Sequence, residues 1–100
     1  MNKEPVPLEF YELVSPRWEL EQVPSEWSTF IKLLRERVLE LYQNQPERLL
    51  QILYRLDVPE EHFIYASQLE TLEDTIQFLT QKIIERELKR YYFRKNYKGI

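Results

Sequence analysis

The chain has 100 residues, of which 43% are hydrophobic and 31% are charged, and its formal net charge is −3. A chain of this length forms one small core. It contains no cysteine and a single glycine, which excludes disulfides, cysteine-bound zinc and a glycine-rich phosphate loop. The first residues lack the apolar run of a signal peptide, and no stretch is long and apolar enough to span a membrane. We therefore expect a cytoplasmic protein that has no cofactor and is not inserted in a membrane.

The first 24 residues are predicted to form an extended arm. Apolar side chains alternate with other residues at two places, a period typical of extended chain: Val6, Leu8, Phe10, Trp18 and Leu20. Ser15 and Pro16 lie between these places and could form a turn, although Ser15 could instead cap a short helical turn. An isolated two-stranded hairpin is only marginally stable in water, so we expect the arm, residues 1–24, to lie on the helical body.

The next segment is predicted to be an amphipathic helix over residues 26–43, with Ser25 as its N-cap. At about 100° per residue, one stripe of this helix is apolar and consists of Trp27, Phe30, Ile31, Leu34, Val38, Leu41 and Tyr42. Charged residues such as Lys32 and Glu36 lie on the opposite side. The apolar stripe should therefore face the core.

Two shorter helices are predicted to follow. Pro46 suits the first turn of a helix over residues 46–56. Its apolar residues cover more than half of its circumference, so it should be the most buried helix: Leu49, Leu50, Ile52, Leu53, Tyr54 and Leu56. Asp57 and Glu60 resemble a capping box, and they predict a third helix over residues 59–68.

The last predicted helix is the longest and covers residues 72–95, with Thr71 as its N-cap. Together these elements predict an all-α fold, a small bundle of about four helices with an extended, proline-containing N-terminal arm. We expect the arm, residues 1–24, and the helical bundle, residues 25–100, to be distinct parts of the chain. The C-terminal helix is expected to project from the bundle.

The apolar face of this last helix is predicted to change along its length. One seam consists of Leu72, Ile76, Leu79 and Ile83, and the next positions on that seam are charged: Arg86 or Glu87, Arg90 and Arg94. The apolar residues move about a quarter to half a turn around the helix, to Ile84, Leu88, Tyr91 and Tyr92. This second face is expected to pack on the arm or on the first predicted helix, or else to bind a partner.

Catalysis is not expected from this sequence. His62 is the only histidine, so a Ser-His-Asp arrangement would have to include it. It follows Glu60 and Glu61 at the start of a short predicted helix, where a structural surface histidine is typical. No metal-binding spacing includes it. The same acidic start makes a DNA-recognition helix unfavourable, because carboxylates repel phosphates.

The end of the sequence is basic and aromatic. Residues 82–100 carry seven basic and two acidic side chains, whereas residues 1–29 and residues 30–81 each carry four more acidic than basic side chains. The cations near the end are Lys89, Arg90, Arg94, Lys95 and Lys98, and the aromatic residues are Tyr91, Tyr92, Phe93 and Tyr97. Three interpretations fit such a segment. It is typical of a helix end, because cations there interact favourably with the macrodipole. It is also typical of a surface that binds an acidic protein, and of a segment that binds nucleic acid.

We therefore expect a non-enzymatic helical protein-interaction module, an adaptor or assembly subunit, that docks through the C-terminal half of its last helix. The expected partner is a protein, either one with an acidic surface or a second copy of this chain, and not a small-molecule substrate. The alternative is an accessory protein that binds RNA or DNA through the same segment. The predicted partner-binding residues are Ile84, Leu88, Arg90, Tyr91, Tyr92, Arg94, Lys95 and Tyr97.

Overall fold

The computed structural model describes residues 5–97, with side chains up to residue 96. Within these residues there are five helices and no strand: α1 (Leu8–Arg17), α2 (Trp27–Asn44), α3 (Pro46–Arg55), α4 (Glu60–Ser67) and α5 (Leu72–Tyr97). The predicted all-α fold, a small helical bundle, is confirmed, with five helices instead of about four. In this part of the chain, no helix is long and apolar enough to cross a membrane.

The four helices predicted after residue 24 begin and end within two residues of their predicted bounds. Pro46 occupies the first turn of α3, where its missing N–H has no intrahelical acceptor to lose. Thr71 caps α5, because the backbone N–H of Asp74 donates to Thr71 Oγ1 at 3.0 Å. Local signals in the sequence therefore determine where these two helices begin.

The N-terminal arm contains a helix, α1, so the prediction of extended chain is wrong there. The buried side chains of Phe10, Tyr11 and Val14 recur at helical spacing. The alternation that suggested an extended arm depended on Leu8, which is exposed, and it omitted Tyr11 and Val14. Ser15 is buried inside this helix and neither forms a turn nor caps a helix start.

The described residues form two compact units, which divide within α2 after Arg37. The predicted separation of an arm, residues 1–24, is a different division and stays a prediction.

Aromatic rings form the core of the first unit. Three rings have their centroids 5.5 Å from that of Phe30, namely Phe10, Tyr11 and Trp27. Ring contacts of this kind contribute about 0.5–1.5 kcal/mol each beyond the area that they bury.

In the second unit, α4 packs against both α3 and α5. The buried aliphatic residues of these helices and of the turn after α3 are Leu49, Leu53, Leu56, Val58, Ala66, Ile76, Leu79 and Ile83. The hydroxyl of Thr75 donates to the carbonyl of Ala66 at 2.7 Å, which ties the start of α5 to the last turn of α4. The core of this unit is therefore mainly aliphatic, with Tyr91 as a buried aromatic residue, in contrast to the aromatic core of the first unit.

An acidic residue in the left-handed region of the backbone lies two residues after the end of α1 and of α3. Glu19 has a φ of 54° and Asp57 a φ of 65°. After each of them the chain donates a hydrogen bond back into the helix, from Leu20 N–H to Ser15 O at 3.0 Å and from Val58 N–H to Leu53 O at 2.9 Å. These are the six-residue hydrogen bonds of Schellman motifs. The two ends are therefore closed in the same way, without glycine.

The predicted capping box of Asp57 and Glu60 is wrong. The N-cap of α4 is Pro59, and no side chain donates or accepts a capping hydrogen bond there. Asp57 instead closes the preceding helix, because its left-handed conformation turns the chain out of α3.

An arginine from another helix binds each of these helix ends. Arg37 Nε donates to the carbonyl of Trp18 at 2.9 Å, and its Nη2 donates to the carboxylate of Glu19 at 2.6 Å. Arg86 Nε donates to the carbonyl of Leu56 at 3.2 Å, and its Nη2 lies 3.7 Å from the carboxylate of the following aspartate. The last carbonyls of a helix lack intrahelical donors and carry the negative end of the helix dipole. A guanidinium group supplies both a hydrogen-bond donor for the carbonyl and a positive charge beside the negative end of the dipole.

Candidate functional site

The buried face of α5 continues through Glu87 and does not change where the sequence predicted. Buried side chains follow one line along the helix: Thr75, Ile76, Leu79, Thr80, Ile83, Glu87 and Tyr91. Glu87 is only 1% exposed, whereas Ile84 and Leu88 are half-buried. The steps from Ile83 to Glu87 and from Glu87 to Tyr91 are four residues each, which keeps the three on one side. The predicted second apolar face is therefore wrong, because the sequence pattern assigned a charged residue to solvent.

The adjacent residues Tyr91 and Tyr92 lie in different environments. Tyr91 is 8% exposed and Tyr92 is 40% exposed, and their rings meet edge to face at 5.1 Å between centroids. Lys95 Nζ lies 5.9 Å from the centroid of the Tyr91 ring, within the range of a cation–π contact. Arg94 is exposed, and the side chain of Tyr97 lies outside the described residues. Of the predicted partner-binding residues, Tyr92, Arg94 and Lys95 are therefore on the surface.

Arg90, another predicted partner-binding residue, contacts the end of α3. Its Nη1 donates to the carbonyl of Arg55 at 3.4 Å, one position before the carbonyl that Arg86 binds. Both guanidinium groups therefore lie at the negative end of the α3 dipole. Arg90 has a structural role at the place where α5 passes the end of α3.

The C-terminal turns of α5, residues 89–96, are called the α5 tip below, and they expose an aromatic side chain that the predicted set omitted. Phe93 is 68% exposed. It follows Arg90 by three residues, so it lies on the same side of α5 one turn further along. The α5 tip contains no acidic residue and four cations, Lys89, Arg90, Arg94 and Lys95. The sequence shows the spacing from Arg90 to Phe93, but it does not show that Arg90 contacts the end of α3.

A concave surface, called the α3–α4 groove below, lies between α3 and the start of α4. Its volume is about 490 Å³, and it is lined by Leu50, Gln51, Leu53, Tyr54, Arg55, Val58, Pro59, Glu60 and Phe63. Tyr54 is 83% exposed, so its predicted place on a buried face is wrong. Within α3 only Leu49 and Leu53 are buried, fewer than in α1 of the same length, so α3 is not the most buried helix. The groove depends on how the chain turns at Asp57, which the sequence pattern misassigned.

The α3–α4 groove and the α5 tip adjoin one another. Arg55 lines the groove, and its carbonyl accepts the hydrogen bond from Arg90. Tyr54 precedes Arg55 in the chain, and Phe93 lies one turn beyond Arg90. Tyr54 and Phe93 are the two most exposed aromatic side chains of residues 5–96. Tyr54 is the neighbour of Arg55 in the chain and Phe93 lies one turn after Arg90, so both are close to the contact between Arg90 and Arg55.

The only histidine has aromatic surroundings. His62 is half-buried, and its ring meets that of Phe78 edge to face at 5.9 Å. Phe78 also packs on Tyr65, 4.9 Å away between centroids, and lies under Lys82 Nζ at 5.4 Å. Across the part of the chain that the structure describes, no three His, Asp or Glu side chains are placed to hold a metal ion. These contacts fit a packing role for His62.

The candidate functional surfaces are therefore the α5 tip and the α3–α4 groove. Both expose an aromatic side chain, and both border the contact between Arg55 and Arg90. No protein-family model, curated protein or solved structure matches this chain.

Proposed function

We propose that the protein is a non-enzymatic interaction module that binds a protein partner through the α5 tip. The observation that carries the proposal is the exposure of Tyr92 and Phe93 among four cations, with no acidic residue in residues 89–96. When a partner covers exposed rings, the burial favours binding by roughly 25 cal/mol for each Å² of apolar surface removed from water. Aromatic and arginine side chains also contribute a large share of the binding energy in protein interfaces.

The charge of the α5 tip favours a partner with an acidic surface. Arg94 and Lys95 are exposed beside the two rings, so an acidic patch would be attracted to the same place that the rings occupy. The chain as a whole has a net charge of −3, and α4 begins with Glu60 and Glu61. A long polyanion would meet this negative charge, whereas a protein can present acidic groups to the α5 tip alone. We therefore favour a protein over a nucleic acid.

Affinity capture from a cell extract, with the purified chain as bait, tests this proposal. The double variant Tyr92→Ser/Phe93→Ser removes two exposed rings, so it should keep its helical content, as circular dichroism would verify. Tyr65→Ser removes a ring that is 52% exposed on α4 and is the matched control. We expect proteins retained by the wild type and by the control to bind the double variant at least about tenfold more weakly. Equal retention by all three would show that the α5 tip is not the docking surface.

An electrophoretic shift assay at low salt tests the nucleic-acid alternative with single-stranded RNA and duplex DNA as probes. Binding through phosphates is strongest at low ionic strength and falls steeply as salt is added. We expect no shift for the wild type. A shift that disappears with salt and in a variant with Lys89, Arg94 and Lys95 replaced by glutamine would make the α5 tip a nucleic-acid site and contradict the proposal.

A further inference from the structure

We propose that the partner of the α5 tip is a second copy of this chain, and that Phe93 of each copy enters the α3–α4 groove of the other. This inference rests on the docking role of the α5 tip and names its partner. Three features of the second unit carry it: the walls of the groove, the charges of the two surfaces, and their adjacency.

The α3–α4 groove suits an aromatic side chain presented by a helix. Its walls include Leu50, Val58 and Phe63, with the exposed ring of Tyr54 among its lining residues. Its volume of about 490 Å³ lies within the range of about 300–1,000 Å³ that is usual for binding pockets. Helices commonly bind by placing apolar anchors in a groove of this kind. Phe93, exposed on the last turns of α5, is such an anchor.

The α5 tip is basic, whereas the α4 wall of the groove is acidic. Glu60 lines the groove, and Glu61 is exposed next to it in the first turn of α4. The α5 tip carries Lys89, Arg94 and Lys95, which are also exposed. The groove lining includes a cation, Arg55, so the acidic character comes from its α4 wall. A second copy supplies these acids at the same groove that receives the aromatic anchor, which favours it over an unrelated acidic protein.

Because the two surfaces are adjacent, two copies can form a closed dimer. A two-fold dimer uses the same patch on both copies, so this patch must contain both the side chain that is inserted and the groove that receives it. The hydrogen bond from Arg90 to Arg55 joins the α5 tip to the edge of the groove. A two-fold axis near this bond therefore lets each tip reach the groove of the other copy. Two such contacts form in one dimer, and no surface is left to continue a chain of subunits.

Sedimentation velocity of the purified chain, from low micromolar to several hundred micromolar, tests the inference. We expect a reversible monomer–dimer equilibrium whose Kd rises with salt, because the two surfaces attract by charge. Tyr54→Ser and Phe93→Ser should each raise the Kd at least about tenfold. Both residues are largely exposed, so neither change should unfold the chain. Tyr65→Ser, the matched control on α4, should leave the Kd unchanged.

A mixture of the two variants tests whether Phe93 and the groove meet each other. Every contact in a Tyr54→Ser homodimer or a Phe93→Ser homodimer contains one substitution. A heterodimer of the two variants contains one undamaged contact and one that carries both substitutions. The mixture, with one variant fluorescently labelled, should therefore associate more tightly than either variant alone. No gain in the mixture would show that these residues do not share a contact, and would overturn the inference.

Two outcomes separate this inference from the docking role itself. If the wild type stays monomeric at every concentration, the second copy is not the partner, although loss of captured proteins in Tyr92→Ser/Phe93→Ser would still support docking through the α5 tip. If the wild type dimerises and Phe93→Ser does not weaken the dimer, the copies meet through another surface and the inference is wrong. The capture experiment then decides the docking role independently.

Discussion

At the scale of single residues, the two left-handed acids Glu19 and Asp57 show how this chain ends helices without glycine. The left-handed conformation costs an ordinary L-residue roughly 1–2 kcal/mol because Cβ approaches the carbonyl oxygen. Each acid pairs with an arginine of another helix, Arg37 or Arg86, whose Nε also binds the adjacent helix-end carbonyl. Contacts from elsewhere in the fold thus offset part of a local backbone cost.

Replacing Asp57 by glycine and by alanine measures that backbone cost, because both variants lose the carboxylate. Asp57→Gly should be about 1 kcal/mol more stable than Asp57→Ala, since glycine has no Cβ to clash at a φ of 65°. Urea unfolding gives the free energies. At Gln77, an exposed position inside α5, the order should reverse by about 1 kcal/mol, because alanine favours a helix over glycine. Equal stability of the two variants at position 57 would contradict its left-handed conformation.

Arg37 should stabilise the first unit mainly through its bond to a backbone carbonyl. Arg37→Ala removes the charged hydrogen bond to Trp18 O and should lower the free energy of unfolding by about 1.5–3 kcal/mol. Glu19→Gln removes the charge of the ion pair, whose carboxylate is largely exposed, and keeps Arg37 on the carbonyl of Trp18, so it should cost less than about 1 kcal/mol. Denaturant titration of both variants compares the two contributions. Equal losses would place the stabilisation in the ion pair instead.

At the scale of elements, the orientation of α5 is tested by two neighbouring isoleucines. Ile83 is fully buried, whereas Ile84 is half-buried. Ile83→Ala leaves a cavity and should cost about 2–5 kcal/mol, while Ile84→Ala should cost clearly less because its side chain already contacts water. The two changes remove the same atoms, so chemical denaturation compares position alone. A larger loss of stability for Ile84→Ala than for Ile83→Ala would show that the apolar face of α5 changes as the sequence predicts.

The sequence predicts α2, α3, α4 and α5 closely because proline and hydroxyl residues mark two of their starts and apolar periodicity marks their lengths. It fails for α1, where a short segment with several prolines shows both a period of two and a helical period. Burial of Phe10, Tyr11 and Val14 together decides in favour of the helix. Periodicity describes a segment alone, whereas this choice depends on which rings pack in the finished core.

The candidate site is harder to predict than the helices. Tyr92, Arg94 and Lys95 are exposed as expected of docking residues, but Tyr91 is buried and Arg90 binds the end of α3. The error at Tyr91 arises because a pattern of charged and apolar residues does not show that Glu87, one turn earlier on the same side, is buried. The error at Arg90 arises because the pattern does not show which helix end this side chain contacts. The α3–α4 groove was also not predicted, since a groove is produced by the relation of two helices and not by either one.

At the scale of the whole molecule, the formal charge of −3 hides a separation of charge. Residues 88–96 contain four cations and no acid, whereas the segment from Asp57 to Glu61 contains three acids and no cation. Both segments belong to the second unit. Two copies can therefore pair opposite charges, and this attraction should weaken as salt shortens its range to about 10 Å at 0.1 M.

Self-association should make thermal stability depend on protein concentration. A dimer that forms only between folded chains stabilises the fold by mass action, by about 1.4 kcal/mol per mole of dimer for each tenfold rise in concentration once the dimer predominates. The Tm of the wild type should therefore rise with concentration, and that of Phe93→Ser should stay constant in the same range. Calorimetry at several concentrations measures both. Parallel behaviour of the two proteins would show that Phe93 has no part in the association.

The arginines that bind the ends of α1 and α3 also have a consequence for the order of folding on the ribosome. The carbonyl of Trp18 accepts a hydrogen bond from Arg37, 19 positions later in the chain, and that of Leu56 accepts one from Arg86, 30 positions later. Because the N-terminal part of a chain emerges first, α1 can be completed soon after its own synthesis. The end of α3 stays open until more than half of α5 has been translated. The first unit can therefore reach its final hydrogen bonds while the second is still being made.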